Sequence, residues 1–236
     1  MTLVSKSNRL TERFELSSLG RAISHRLGSS FILVAIVLMA AVPALAEEGD
    51  LERGERVYGL CTQCHGANGE GKSEALAPAI AGLPGWYVEG QLKKFKSGSR
   101  GLHALDTGGL RMYPMSQWLR KDEDLVAVST YVASMPKTDP IEEIEEPGNA
   151  AAGAGYYAVC SACHGAAGAG NQGMGAPPLV GMSDWYLFSS IKKYKSSIRG
   201  TGPGDALGAA MIGMAGTLPD DQSIRDVIAH IQTLEK

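Results

Sequence analysis

Cysteine is scarce in this chain, and the whole supply of four residues is confined to two short motifs. The sequence also lacks any convincing run of alternating polar and apolar residues, which argues against a half-buried β-strand. Its formal net charge is only −3, with no extended basic block, so nothing in the charge balance suggests nucleic-acid binding. Together these absences favour a helical globular protein that does not bind nucleic acid.

The N-terminal segment reads as an export signal. Basic residues precede an apolar run over residues 31–42, which leads to the small-x-small pattern Ala44-Leu45-Ala46. Residues 31–46 fall short of the roughly 20 residues that span a bilayer, so we predict that residues 1–46 are a signal peptide. A retained N-terminal membrane anchor stays open as the alternative. Both interpretations predict a periplasmic protein, membrane-tethered in the second case.

The remainder is a tandem repeat with an offset of 99 residues, which superimposes Cys61 on Cys160. An acidic stretch containing Pro140 and Pro147 separates the two copies and is predicted to be a solvated linker. The predicted organisation is therefore domain 1 over residues 47–138, the linker over residues 139–152 and domain 2 over residues 153–236.

Apolar spacing within each copy is helical. Residues 122–135 open with acidic side chains, which suit a helix N-terminus, and residues 220–234 repeat that pattern. Further helices are predicted over residues 50–60 and 86–96, with glycine-rich loops between. The sequence predicts an all-α fold.

The cysteine motifs have the spacing of c-type haem attachment, in which two thiols bond the vinyl groups and the adjacent histidine binds iron. A redox dithiol would not need the histidine or a second copy, and a zinc site would need two clips close together. Structural disulfides are a further alternative. We expect two covalently bound haem c groups, with these attachment and proximal-ligand residues: Cys61, Cys64, His65, Cys160, Cys163 and His164.

Each copy also carries two methionines before its last helix, at equivalent positions: Met112 and Met115, then Met211 and Met214. A methionine thioether is the soft sixth ligand that raises the reduction potential of a cytochrome c. Spacing alone allows either methionine of each pair to bind iron.

Residues 50–236 resemble the dihaem cytochromes c4, which consist of two class I cytochrome c domains. The resemblance lies in the haem motifs and in the repeated Met-x-x-Met followed by Leu119 or Leu218. It implies that Met112 and Met211 are the iron ligands. Residues 82–101, followed by His103, Asp106 and Gly109, also look like the haem c modules of respiratory haem–copper oxidases, which implies electron delivery to a terminal oxidase.

Other residues are assigned supporting roles. The resemblance to class I cytochromes c also implies that the carbonyl of Pro78 or Pro177, or of the residue before it, accepts a hydrogen bond from the ligand histidine. Lysines 93, 94 and 96 and their repeats are either docking charges for an acidic partner or simply solvated. Candidates to bind the haem propionates are Trp86, Tyr87, Arg100, Trp185, Tyr186 and Arg199.

The leading functional hypothesis is a carrier of single electrons between respiratory redox partners, a quinol-linked donor complex and a terminal oxidase. Two rivals stay open. One is a dihaem enzyme, either a peroxidase or a thiosulfate-oxidising cytochrome, in which one iron would have an open position. The other is a fixed electron-transfer subunit of a membrane respiratory complex.

Overall fold

The computed structural model describes residues 50–139 and 142–234, so the predicted signal or anchor lies outside the described residues. Over these two ranges the chain is helical and forms no β-strand, which confirms the all-α prediction. None of the helices in these ranges is long and apolar enough to cross a membrane. The first half contains α1 (residues 50–58), α2 (Thr62–His65), α3 (Gly85–Ser97), α4 (Thr107–Gln117) and α5 (Asp122–Ser134). The second half contains α6 (Ala150–His164), α7 (Asp184–Lys195), α8 (Ala206–Ala215) and α9 (Asp221–Thr233).

Each half has its own apolar core beneath its last helix. In α5, Leu125, Val128 and Val132 are buried, as the helical spacing predicts. In α9 the equivalent face buries Ile224, Val227, Ile228 and Ile231 against Tyr157, Leu187 and Leu218. Full burial of such side chains is worth about 1.5–3 kcal/mol each.

A glycine lies where the first and last helices of each half cross. A Cβ at Gly54 would come within 2.3 Å of the Ala127 carbonyl oxygen, and a Cβ at Gly153 within 1.9 Å of the Asp226 carbonyl oxygen. No side chain fits at either position. The repeated glycine therefore fixes how closely these helices pack, and so where the haem motif lies, directly after α1 in the first half and at the end of α6 in the second.

Helices α4 and α8 are not predicted by the sequence pattern, since glycines and Pro114 disfavour helix within them. The structure shows why they form. Asp106 caps α4 by accepting a hydrogen bond from the Gly109 amide, and Asp205 caps α8 through the Gly208 amide. These helices carry the two methionine pairs.

The linker is held against the second half. The amides of Glu143 and Ile144 donate to the Asp184 carboxylate at 2.8 and 2.9 Å, and Glu146 pairs with Arg225 at 3.1 Å. The glutamate side chains stay exposed, as expected, but the backbone is anchored. Helix α6 begins at Ala150, so residues 150–152 of the predicted linker are helical.

Candidate haem sites

A histidine ends the haem-motif helix of each half, at His65 in α2 and His164 in α6. Its Nδ1 lies 2.9 Å from the Pro78 carbonyl oxygen in the first half and 2.7 Å from the Pro177 carbonyl oxygen in the second. A carbonyl only accepts, so Nδ1 donates, and Nε2 keeps its lone pair. The predicted proline contact is confirmed, and the proline's own carbonyl makes it.

Both imidazoles are kept neutral by their surroundings. Burial lowers the pKa of His65, and the hydrogen bond with Pro78 opposes this only in part. Burial lowers the pKa of His164 in the same way. A neutral imidazole with a free Nε2 is the form that binds a metal ion.

The glycine-rich loops after the histidines bring the prolines into reach. The Gly71 amide donates to the His65 carbonyl at 2.8 Å, and a Cβ at Gly71 would lie 2.4 Å from the Ala79 nitrogen. The second half repeats this arrangement at Gly170. The loop therefore closes over the proline segment only because it has no side chain there.

Neither pair of motif cysteines forms a disulfide, so both pairs are available for thioether bonds to a haem. Burial, and next the neighbouring Cys64, raise the pKa of Cys61 to about 11, and burial also raises the pKa of Cys160. Cys61 and Cys64 line one cavity, and Cys160 and Cys163 line another. The two thiols and the histidine of each motif therefore share one cavity.

The two cavities are mainly apolar, with volumes of about 310 Å³ in the first half and about 170 Å³ in the second. Both methionines of each pair line them: Met112 and Met115 the first, Met211 and Met214 the second. The spacing of three residues on a helix puts each pair on one face. Met115 is 38% exposed. Histidine and thioether donors thus meet in each cavity.

Two arginines at equivalent positions show that the cavities suit an anionic group. Arg100 lines the first cavity and Arg199 the second, and among residues 50–139 and 142–234 neither forms an ion pair with a carboxylate. Arg199 is buried, and Arg100 has a buried Nε without a hydrogen-bond partner. A buried guanidinium is costly without an anion. The two carboxylates of a haem would supply it, so the residues present fit the group.

Of the residues predicted to bind the haem propionates, not all line a cavity. Tyr87 and Tyr186 line both cavities, and Trp185 lines the first. Trp86 belongs to neither lining and packs edge-on against Tyr87.

The seam between the halves contains two reciprocal ion pairs that sequence reasoning missed. Lys94 contacts Asp205 at 2.6 Å, and Lys193 contacts Asp106 at 2.8 Å. The two lysines are repeat equivalents, and so are the two aspartates. Lys94 and Lys193 are thus seam residues, not docking charges. The neighbouring Lys93 pairs with Glu89 inside its own helix.

Two copies of one family pattern cover most of the described chain. The cytochrome c family model matches residues 51–136 and again residues 150–235. The chain belongs to the cytochrome c family. Each matched copy contains one complete set of cysteines, histidine and methionines, so this cytochrome carries two covalently bound haem c groups.

Individual relatives place the chain among dihaem cytochromes of the c4 type. Cytochrome c4 of Stutzerimonas stutzeri is 27% identical over 220 residues, which cover 86% of this chain and 98% of that relative. The crystal structure of reduced cytochrome c4 from Pseudomonas stutzeri matches with a TM-score of 0.60 and 25% identity, covering 77% of this chain and 96% of that one.

A further relative is named for the enzyme from which it accepts electrons. The thiosulfate dehydrogenase electron acceptor of Stutzerimonas stutzeri is 31% identical over 182 residues, which cover 72% of this chain and 78% of that relative. The similarity extends over both halves of the present chain.

Proposed function

We propose that this dihaem cytochrome is an exported carrier that takes single electrons from a quinol-linked donor and delivers them to a terminal oxidase. Dihaem electron transfer follows from the family; the donor, the acceptor and the periplasmic location are the proposal. A supporting similarity is the cbb3-type oxidase subunit CcoP of Rubrivivax gelatinosus, 33% identical over 135 residues. Those residues cover 38% of that subunit, so the likeness is to one part of it.

In each half we propose that the two cysteines hold the haem covalently and that the histidine binds iron through Nε2. Met112 in the first half and Met211 in the second would provide the other iron ligand, and Met115 and Met214 would pack beside the haem. The family resemblance supports this choice of methionine, and the shared cavity lining supports the methionines as a class. Haem iron supplies the one-electron chemistry when bound.

One observation carries the carrier proposal: both halves repeat the same set of donors. Each cavity has a neutral histidine oriented by a proline carbonyl and has methionine thioethers in its lining. A dihaem enzyme needs one iron with an open or labile position, which favours dissimilar halves. Two equivalent donor sets instead support a pair of six-coordinate irons.

The test is an electron-transfer assay on the purified holoprotein. A quinol-linked donor should reduce both haems, and membranes containing the terminal oxidase should then reoxidise them. A carbon monoxide titration at neutral pH should give no binding. Full binding at one haem, or peroxide turnover comparable to a dedicated peroxidase, would replace the carrier with the enzyme.

A second candidate donor is a thiosulfate-oxidising enzyme, because relatives from Stutzerimonas stutzeri and Thiomonas intermedia are named as electron acceptors of thiosulfate dehydrogenase. The chain also matches part of a thiosulfate dehydrogenase structure from Marichromatium purpuratum, with a TM-score of 0.62 and 40% of that chain covered. A parallel assay with thiosulfate and its dehydrogenase distinguishes the donors. Faster reduction there than with the quinol-linked donor would favour this candidate.

A further inference from the structure

The two haem cavities share one wall. Tyr87, Gln91, Met182 and Tyr186 line both of them. Any charge that changes in one cavity is therefore separated from the other by a single layer of side chains, in an interior where charges interact more strongly than in water.

Arg100 and Arg199 flank this wall and are held together by two of its side chains. Gln91 Oε1 accepts hydrogen bonds from Arg100 at 2.6 Å and from Arg199 at 3.2 Å. The Tyr186 hydroxyl accepts from Arg100 at 3.1 Å and from Arg199 at 3.4 Å. Each acceptor thus spans an arginine of the first half and an arginine of the second.

The repeat equivalents of these two acceptors do not bridge the arginines in the same way. Ser190 stands at the position equivalent to Gln91 and accepts from Arg199 at 3.1 Å, but in the described part of the chain it does not also accept from Arg100. Tyr87 is equivalent to Tyr186, yet within the described residues its hydroxyl does not bridge the two arginines. The lysine–aspartate pairs are symmetric by contrast. The bridge is therefore a distinct feature of the seam, not a consequence of the duplication.

We propose that Tyr186 and Gln91 are positioning residues that lock Arg100 to Arg199 and thereby couple the reduction of one haem to that of the other. When one haem gains an electron, the arginine beside it becomes more strongly attracted to that side. Because both arginines are held by the same two acceptors, the response reaches the other cavity. The proposal rests on two haems being carried, but not on the identity of any partner.

The test is a redox titration of the isolated holoprotein, with each haem followed separately through its methyl NMR resonances. The coupling is the factor by which reduction of one haem changes the electron affinity of the other. We expect Tyr186→Phe to reduce this factor by about fivefold, the lower end of site-to-site couplings. Gln91→Ser, which copies the serine of the second half, should reduce it similarly.

Tyr157→Phe is the matched control, since it removes another tyrosine hydroxyl of the same half, one that donates to the Gly165 carbonyl on a residue that lines neither cavity, and it should leave the coupling unchanged. Thermal unfolding and haem content establish that each variant is folded and loaded. Equal effects of Tyr157→Phe and Tyr186→Phe, or no effect of Tyr186→Phe and Gln91→Ser, would overturn the proposal. Partner proteins are absent from this titration, so failure of the partner assays would leave its outcome intact.

Discussion

The two halves have nearly identical hydrogen bonds around the ligand histidines, but they differ in the helices that lead to those histidines. Tyr58 donates to the Gly66 carbonyl at 2.8 Å, and Tyr157 donates to the Gly165 carbonyl at 2.7 Å. The histidine–proline contacts match just as closely. By contrast, Gly59 lies where the first haem-motif helix is interrupted, whereas α6 runs unbroken from Ala150 to His164. The geometry that orients the iron ligand is thus repeated, while the helix leading to it differs.

The last helices of the two halves, α5 and α9, differ in how their N-termini are capped. Helix α9 has a capping box between Asp220 and Ser223, whereas α5 starts after Lys121 without a side-chain cap and relies on acidic residues in its first turn. Both solutions satisfy the helix N-terminus. The surroundings of the two histidines are thus alike in both copies, whereas equivalent helices begin with different N-terminal interactions.

The largest expected effect tests whether the two halves load haem independently. Cys61→Ala with Cys64→Ala should remove one covalent haem and half of the Soret absorbance, because both thioethers of that half are lost. Cys160→Ala with Cys163→Ala should do the same to the other half. Intact mass and haem-stained denaturing gels measure the result. Retention of two covalent haems in either variant would contradict the assignment of these cysteines.

The second prediction concerns which methionine of each pair binds iron. Met112→His and Met211→His should each abolish half of the weak near-infrared sulfur-to-iron band and lower one reduction potential, because a nitrogen donor favours ferric iron. Met115→His and Met214→His are the matched controls and should preserve the band. If the controls lose the band instead, the second methionine of each pair is the ligand.

A third prediction concerns the reciprocal ion pairs at the seam. Asp106→Asn should lower the free energy of unfolding by about 1–3 kcal/mol, somewhat less than for a fully buried pair because Lys193 is partly exposed. Asparagine also caps helices, so α4 should keep its N-cap and the effect should report the ion pair. Asp205→Asn tests the equivalent pair with Lys94. Denaturant unfolding at pH 7 measures both. Values within 0.5 kcal/mol of wild type, roughly the range for surface substitutions, would show that the pairs do not stabilise the seam.

The stabilisation by the Asp106–Lys193 ion pair should decrease at low pH. Burial raises the pKa of Asp106, but the hydrogen bond and charge of Lys193 and the Gly109 amide outweigh it, so the pKa lies below its usual value. The stabilisation is therefore complete above the unfolded-state pKa of about 3.9 and is lost as pH falls through the folded value. The difference between wild type and Asp106→Asn should shrink under strongly acidic conditions. A difference that grows there would contradict the ion-pair explanation.

The smallest expected effect concerns the tyrosines behind the histidines. Tyr58→Phe and Tyr157→Phe should each cost about 1 kcal/mol, because each removes one hydrogen bond to a loop carbonyl. Equal costs are expected, since the two geometries match. Thermal unfolding of the holoprotein measures them. Costs that differ by more than a factor of about 3, beyond ordinary context dependence, would show that the two sites are less alike than their distances indicate.

The helical class and the two haem motifs could be predicted from the sequence because they depend on short-range spacing, and the duplication because its two copies align at one constant offset. A Cys-x-x-Cys-His motif brings its three side chains together over one or two helical turns, and an apolar period near 3.6 predicts a helix wherever it occurs. A histidine that binds a metal needs an acceptor for its other nitrogen, but the resemblance to class I cytochromes c was needed to point to the prolines. Helices α4 and α8 could not be predicted, because their glycines disfavour helix and only aspartate caps and packing override that preference.

The contacts between the two halves could not be predicted from the sequence and are seen only in the tertiary structure. Lys94 and Asp205 lie 111 residues apart along the chain, and no local pattern shows that they pair; the same lysine on an isolated helix would be solvated. The bridge through Tyr186 and Gln91 likewise depends on how the two halves face each other, which is set by packing over long sequence separations. A repeat can be read from the sequence, but its departures from symmetry follow from contacts between residues distant along the chain.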